Sequence, residues 1–96
     1  MPSYRIRMVV SLLRPGVDPA DVLPAAAAAA REHAAVEANE LSIRDGRPIL
    51  TVRFDAPDDH AAALVGRGVV DRVDTMVDVE VSRVTRRYGA RWYGLC

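Results

Sequence analysis

The sequence predicts one α+β domain whose elements follow the order strand, helix, strand, strand, helix, strand. Three observations lead to this prediction. Apolar residues alternate with a period of two near the start, in the middle and near the end of the chain. Two segments with helix-capping residues separate these runs, and Asp45-Gly46 joins two of them. A chain of 96 residues has the length for a single hydrophobic core.

The first strand runs from Tyr4 to Leu13, where apolar side chains occupy every second position. This period predicts a strand with one strongly apolar face, and Arg14-Pro15-Gly16 ends it. Asp18 or Asp21 can then cap a first helix. The helix runs through six consecutive alanines to about Ala38, because alanine has the highest intrinsic helix propensity.

The second and third strands are predicted at Leu41–Arg44 and Ile49–Phe54, on either side of Asp45-Gly46. A two-residue type I′ turn needs a positive φ at both of its central residues, and Asp-Gly meets that need. The pattern therefore predicts a tight hairpin.

A second helix is predicted after Asp55, which can cap it, and it ends between Arg67 and Val73. Two glycines within it weaken the helical pattern. The final strand begins with the alternating valines of Val77–Val81. Val84 falls out of phase with these valines, which predicts a β-bulge near Arg83.

Residues 1–87 form the predicted domain, and residues 88–96 form a tail that holds three of the five aromatic residues. Right-handed crossovers applied to this element order give a four-stranded antiparallel sheet in the order 4-1-3-2, with both helices on one side.

The alternation also sorts the strand residues between the two faces of this sheet. The face under the helices is predicted to carry Ile6, Met8, Val10, Leu41, Ile43, Leu50, Val52, Phe54, Val77, Val79 and Val81. The opposite face is predicted to carry Val9, Ile49, Thr51 and Met76 together with Arg5, Arg7, Arg44, Arg53, Asp78 and Glu80. Since strand four lies beside strand one, we expect the two carboxylates of strand four to meet the arginines of strand one.

This opposite face has three interpretations. It is a solvated face held by cross-strand pairs, a face covered by a second protomer or by the tail, or a ligand site. For an interface the candidate residues are Val9, Ile49, Met76, Asp78 and Tyr93. For a ligand site, with an anionic or aromatic ligand, the candidates are Arg7, Arg53, Glu80, Tyr88 and Trp92.

Composition narrows the classes of partner. The 13 basic and 13 acidic residues cancel, so we expect no attraction to nucleic acid. No apolar run approaches the roughly 20 residues of a membrane span, and the first residues do not resemble a signal peptide. The single cysteine, Cys96, fits a reducing compartment, so we expect a cytoplasmic protein that forms a homodimer.

Catalytic and metal-binding motifs are absent from the sequence. The two histidines, His33 and His60, have no second ligand at a recognised metal spacing, and no serine lies in a nucleophile motif. We therefore expect no metal and no cofactor, and Cys96 is interpreted as a chance terminal thiol.

In length and element order the whole chain resembles the ferredoxin-like superfold. It is similar in the same way to dimeric α+β barrel proteins such as small polyketide cyclases, cofactor-free monooxygenases and muconolactone isomerases. The Arg14-Pro15-Gly16 turn also resembles the corresponding loop of amino-acid-binding ACT domains. Because no catalytic motif accompanies the fold, the first functional prediction is a non-catalytic, dimer-forming accessory or ligand-binding module. The alternatives are a cofactor-free enzyme of the dimeric barrel type and an amino-acid sensor.

Overall fold

The computed structural model describes residues 1–95, which form one sheet and two helices. The strands are β1 (Ser3–Leu13), β2 (Val36–Arg44), β3 (Arg47–Asp55), β4 (Val77–Tyr88) and β5 (Arg91–Gly94). The helices are α1 (Val22–Arg31), which follows a short 3-10 turn, and α2 (Asp59–Asp74). This is the ferredoxin-like α+β arrangement that the sequence predicts.

The sheet is antiparallel and has five strands in the order β2-β3-β1-β4-β5, so the predicted count of four is wrong by one edge strand. The extra strand comes from the segment predicted as a tail. Gly89, with a φ of 59°, begins a two-residue turn that brings Arg91 opposite Tyr88. A glycine at the first central position is typical of a tight hairpin, but Gly-Ala is a weaker sequence signal than Asp-Gly.

The predicted hairpin between β2 and β3 is confirmed. Asp45 and Gly46 have φ angles of 52° and 75°, and Arg44 lies opposite Arg47 across the turn. This hairpin aligns β2 with β3 as far as Ala38, beyond which an irregularity at Glu37 shifts the register by one residue, and β1 pairs with the other edge of β3.

Both helices differ from the prediction at their ends. The first helix ends at Arg31 rather than near Ala38, because the following residues turn and then pair with β3 from Val36 onwards. Pairing across the sheet here overrides local helix propensity. The second helix is capped by Asp58, whose side chain accepts from the backbone N–H of Ala61 at 2.8 Å, rather than by Asp55.

The core lies between the two helices and the sheet. Its largest fully buried side chains are Tyr4, Phe54, Ile6, Met8, Val52, Val69 and Val73. Leu41 and Ile43 were predicted to be buried, yet they remain 57% and 66% exposed. They lie on the edge strand β2, where they line a crevice beside the start of α1.

A bulge in β4 decides which residues of this strand face the helices. Val81 lies opposite Val9 but Val79 lies opposite Val10, so Glu80 is the extra residue. The predicted position near Arg83 is therefore wrong by three residues. Beyond the bulge the alternation changes phase, so Val81 is 57% exposed and not buried as predicted, while Val84 packs against the core.

Candidate functional site

The sheet face turned away from the helices, called here the open face, carries a large excess of arginine. Residues that share this face are identified by their positions directly opposite one another in the strand ladders. Seven arginines occupy such positions: Arg5, Arg7, Arg44, Arg47, Arg53, Arg83 and Arg87. At the same positions there are two carboxylates, Glu40 and Asp55, and Glu37 adds a third at the β2 irregularity. The open face is therefore cationic.

The carboxylates predicted to neutralise strand one do not do so. Asp78 forms an ion pair with Arg14, beyond the end of β1. Glu80 lies at the bulge and accepts a hydrogen bond from the hydroxyl of Ser11 at 2.6 Å. The register instead places Arg83 opposite Arg7, so two cations meet where a cation and an anion were expected.

Trp92 forms one wall of a pocket on the open face. The β4–β5 hairpin sets Trp92 opposite Arg87, and the indole reaches back over the sheet. The Arg5 Cζ lies 4.5 Å from the ring centroid and the Arg53 Cζ lies 5.4 Å from it. Both distances are within the range of cation–π attraction. The pocket measures about 260 Å³ and is lined by Arg5, Ala38, Asn39, Glu40, Thr51, Arg53 and Trp92.

The pKa of the Arg5 guanidinium is lowered in the pocket. Burial lowers the pKa of its guanidinium first, and the neighbouring Arg7 lowers it further, while Glu40 acts in the opposite direction. Its Nε donates to the Thr85 hydroxyl at 3.2 Å. Within residues 1–95, no carboxylate lies in ion-pair distance of Arg5. An anionic ligand would relieve this unfavourable charge.

Arg53 is held in position by an acidic group at the edge of the pocket. Its Nε lies 2.8 Å from Glu37 Oε2 and also donates to the Ser3 hydroxyl at 3.1 Å. The pKa of the Glu37 carboxyl is raised, chiefly by a hydrogen bond with Asp55 and to a lesser extent by burial. The Glu37 carboxylate and the Ser3 hydroxyl therefore hold the guanidinium of Arg53 beside Trp92.

A second polar cluster lies on the helix side of the sheet, where Asp59 at the start of α2 accepts two hydrogen bonds. Tyr4 Oη donates to Asp59 Oδ1 at 2.7 Å, and Arg86 Nη1 donates to the same oxygen at 2.9 Å. The Arg86 guanidinium lies over the ring of Tyr88, with its Cζ 4.9 Å from the ring centroid. Tyr93 packs edge-on against Tyr88, with ring centroids 5.5 Å apart. This cluster ties β4 and β5 to α2.

The predicted ligand residues are therefore distributed over three places. Arg53 and Trp92 share the pocket, and Arg7 lies on the same face beside Arg83. Glu80 lies at the bulge, and Tyr88 lies on the helix side.

Of the predicted interface residues, Val9 and Ile49 are opposite one another on the open face. Met76 packs in the core, Asp78 lies beside Arg14, and Tyr93 lies on the helix side with Tyr88. Cys96 lies outside the described residues.

Arg5 was placed on the open face by its alternation but was not predicted as a pocket residue. Arg5 and Arg7 are two residues apart in the same strand, so the sequence predicts that both lie on the same face of the sheet. The sequence carries no signal for its proximity to Trp92, because that depends on β5. Among residues 1–95 no group of three or more His, Cys, Asp or Glu side chains could hold a metal ion, and no helix of this segment could span a membrane.

The element order and the antiparallel sheet with both helices on one side define a ferredoxin-like α+β protein. A solved structure with this fold is a candidate antibiotic biosynthesis monooxygenase from Chloroflexus aurantiacus J-10-fl, with a TM-score of 0.52 and 14% sequence identity. The match covers 93% of this chain and 96% of that chain. No protein-family model and no curated protein matches the sequence.

This comparison corrects the first functional prediction. A non-catalytic accessory module was expected because the sequence contains no catalytic motif. The structural neighbour carries the description of an enzyme on the same fold over nearly the whole of both chains, which favours the enzyme alternative. The absence of a motif was a poor guide because the fold brings together residues that are distant in the sequence.

Proposed function

We propose that the protein is a small-metabolite enzyme of the dimeric α+β barrel type that acts on aromatic anions, with oxygenation as its reaction. The observation that carries this proposal is the pocket in which two arginines flank the single tryptophan of the chain. The monooxygenase description of the structural neighbour supports the choice of reaction. We further propose that the enzyme is cytoplasmic and homodimeric.

The pocket matches an aromatic ring that bears a carboxylate or a phenolate. Guanidinium groups bind carboxylates through two parallel hydrogen bonds and donate charge-assisted hydrogen bonds to a phenolate oxygen, and an indole offers a flat apolar surface for a ring. A cavity of roughly 150 Å³ holds benzene. At about 260 Å³, the pocket has room for a substituted ring or a small two-ring compound.

The same residues can promote oxygenation of an activated CH₂ group. Glu40 lines the pocket and is the residue that we assign to accept a proton from the substrate carbon. Arg5 and Arg53 would stabilise the negative charge that develops on the substrate. The overall reaction converts the CH₂ group and one O₂ into a ketone and one H₂O. The substrate supplies all four electrons, one oxygen atom enters the ketone, and the other leaves in water with the two protons.

Oxygen uptake with hydroxylated aryl ketones that carry an activated CH₂ group tests this function. We expect one O₂ consumed per substrate, with one ¹⁸O from ¹⁸O₂ in the ketone product. Arg5→Gln should lower kcat/KM by about tenfold or more, because a charge-assisted contact in a partly buried site is lost. Arg31→Gln, which removes an exposed arginine from the end of α1, is the matched control and should leave kcat/KM unchanged. Equal effects of the two substitutions, or no oxygen uptake with any compound, would contradict the proposal.

A further inference from the structure

The pocket beside Trp92 carries opposite charges at its two ends. Arg5 on β1 and Arg53 on β3 supply positive charge, and Glu40 on β2 supplies negative charge. Strand β3 separates β1 from β2, so the backbones that carry Arg5 and Glu40 lie about 10 Å apart. Thr51, which is directly opposite Glu40 in the ladder, lines the pocket between them. The pocket therefore has a cationic end at β1 and an acidic end at β2.

The charged groups at these two ends have no ion-pair partner within residues 1–95, where neither Arg5 nor Glu40 forms a salt bridge. Arg53 differs from them, because its Nε lies 2.8 Å from Glu37 Oε2. Glu40 acts on Arg5 from beyond ion-pair distance, where it opposes the lowering of the Arg5 pKa by burial. One unpaired cation and one unpaired carboxylate are thus available to a ligand.

This separation of charge suits a benzene ring that is substituted at opposite positions. A carboxylate on one side of the ring can accept hydrogen bonds from the guanidinium of Arg5. The substituent on the other side then lies at Glu40, which accepts a hydrogen bond from a donor and repels a second anion. The volume of about 260 Å³ holds one substituted ring beside the indole of Trp92.

We propose that the pocket selects aromatic ligands with an anionic group at the end beside Arg5 and a hydrogen-bond donor, not a second anion, at the opposite end beside Glu40. This inference rests on the proposed function, because it describes the aromatic anion on which the enzyme acts. Glu40 then determines specificity in addition to accepting a proton. The CH₂ group of the substrate lies at the end of the molecule away from its anionic group.

Fluorescence of Trp92 reports binding at this pocket, because the chain has a single tryptophan. The probes are 4-hydroxybenzoate, benzoate and benzene-1,4-dicarboxylate at pH 7 and constant ionic strength. We expect 4-hydroxybenzoate to bind about tenfold more tightly than benzoate, through its hydrogen bond to a charged group. The dicarboxylate should bind at least about tenfold more weakly than benzoate, because Glu40 repels its second carboxylate. The isomer 2-hydroxybenzoate should bind like benzoate, since its hydroxyl lies beside its carboxylate and away from Glu40.

Substitutions at the two ends of the pocket should have different effects. Glu40→Gln removes the charge at nearly constant size, so the variant should bind the three probes within about threefold of one another. The matched control Glu32→Gln removes an exposed carboxylate at the end of α1 and should keep the wild-type ratios. Arg5→Gln should weaken the binding of all three probes by about tenfold and leave their ratios unchanged, because it acts at the end that they share.

Three outcomes would overturn the inference: tighter or equal binding of the dicarboxylate relative to 4-hydroxybenzoate, unchanged ratios in Glu40→Gln, or no response of Trp92 to any probe. Circular dichroism of each variant separates a change in binding from a loss of folding. The binding ratios are independent of the oxygen-uptake test. The expected ratios without oxygen uptake would support the selectivity and contradict the proposed enzyme, whereas oxygen uptake with equal binding of all probes would do the reverse.

Discussion

Tyr4 illustrates how a single residue links the core to a charged cluster. Its ring is fully buried beside Phe54, with 6.0 Å between the ring centroids, while its hydroxyl reaches Asp59 at the edge of the core. Burial raises the pKa of Tyr4 to about 12, and the hydrogen bond to Asp59 acts in the same direction. The pKa of Asp59 is lowered, most by the hydrogen bond from Tyr4 and next by the hydrogen bond from Arg86. A buried hydroxyl thus remains satisfied because its acceptor is ionised.

Tyr4 is expected to make stability fall at alkaline pH. The folded state holds the Tyr4 proton up to about pH 12, while the unfolded chain releases it near the ordinary tyrosine pKa of 10.0. The free energy of unfolding should therefore be unaffected by this group below pH 10 and fall as the pH rises from 10 to 12, by on the order of 2 kcal/mol. Urea unfolding across this range measures it. Tyr4→Phe should remove this part of the decline, and equal declines in both proteins would contradict the assignment.

The helix α2 and the strand β4 approach each other closely at one glycine. Gly66 on α2 faces Val84 on β4, and a Cβ at Gly66 would lie 2.5 Å from Val84 Cγ2. A Cβ at Gly68, two residues later on the same helix, would have no neighbouring atom within 4 Å. The two glycines that weaken the helix in the sequence therefore have different roles. Gly66 lets the helix approach the sheet, whereas Gly68 makes no such contact.

Alanine substitutions should have opposite effects at these two positions. Gly66→Ala introduces a clash in a packed interface and should lower the free energy of unfolding by about 1 to 3 kcal/mol. Gly68→Ala should raise it by about 0.5 to 1 kcal/mol, because alanine favours the helix and meets no neighbour. Urea denaturation measures both. In a Val84→Ala background, Gly66→Ala should lower the free energy of unfolding by less. Equal stabilities of Gly66→Ala and Gly68→Ala would contradict this description of the interface between α2 and β4.

At the scale of the whole molecule, the zero formal charge conceals a separation of charge. Arginines predominate on the open face, while Asp58, Asp59, Asp71 and Asp74 belong to α2 and its cap on the other side of the sheet. The Debye length is about 10 Å at 0.1 M salt, so a charged surface responds to the nearest face and not to the total charge. The sequence-based argument from zero net charge therefore does not describe either face.

The charge separation predicts retention on a sulfonate cation-exchange column at pH 7, where the formal net charge is zero. Arg7→Gln and Arg31→Gln each remove one positive charge, but only Arg7 lies on the cationic face. Arg7→Gln should therefore elute at a clearly lower salt concentration, and Arg31→Gln should elute close to the wild type. Elution of the wild type in the void volume, or equal shifts for both variants, would show that the cationic open face does not determine binding to the column.

Much of the fold could be predicted because its signals are local. The alternation in β1 and the Asp45-Gly46 turn depend only on neighbouring residues, and both appear in the structure as predicted. The end of α1 was mispredicted because pairing with β3 outweighs the helix propensity of the residues around Ala35. The fifth strand was missed because its hydrogen-bond partners lie in β4 and its turn signal is weak.

The sequence by itself determined the element order, the apolar side of β1 and β3, and the residue types available for a site. Only the tertiary structure decided that Arg5, near the start of the chain, and Trp92, near its end, share one pocket. It also decided that the bulge at Glu80 removes a carboxylate from the arginines of β1. The physical reason is that periodicity assigns a residue to a face, whereas strand register and bulges, which arise from pairing between distant segments, decide its neighbours.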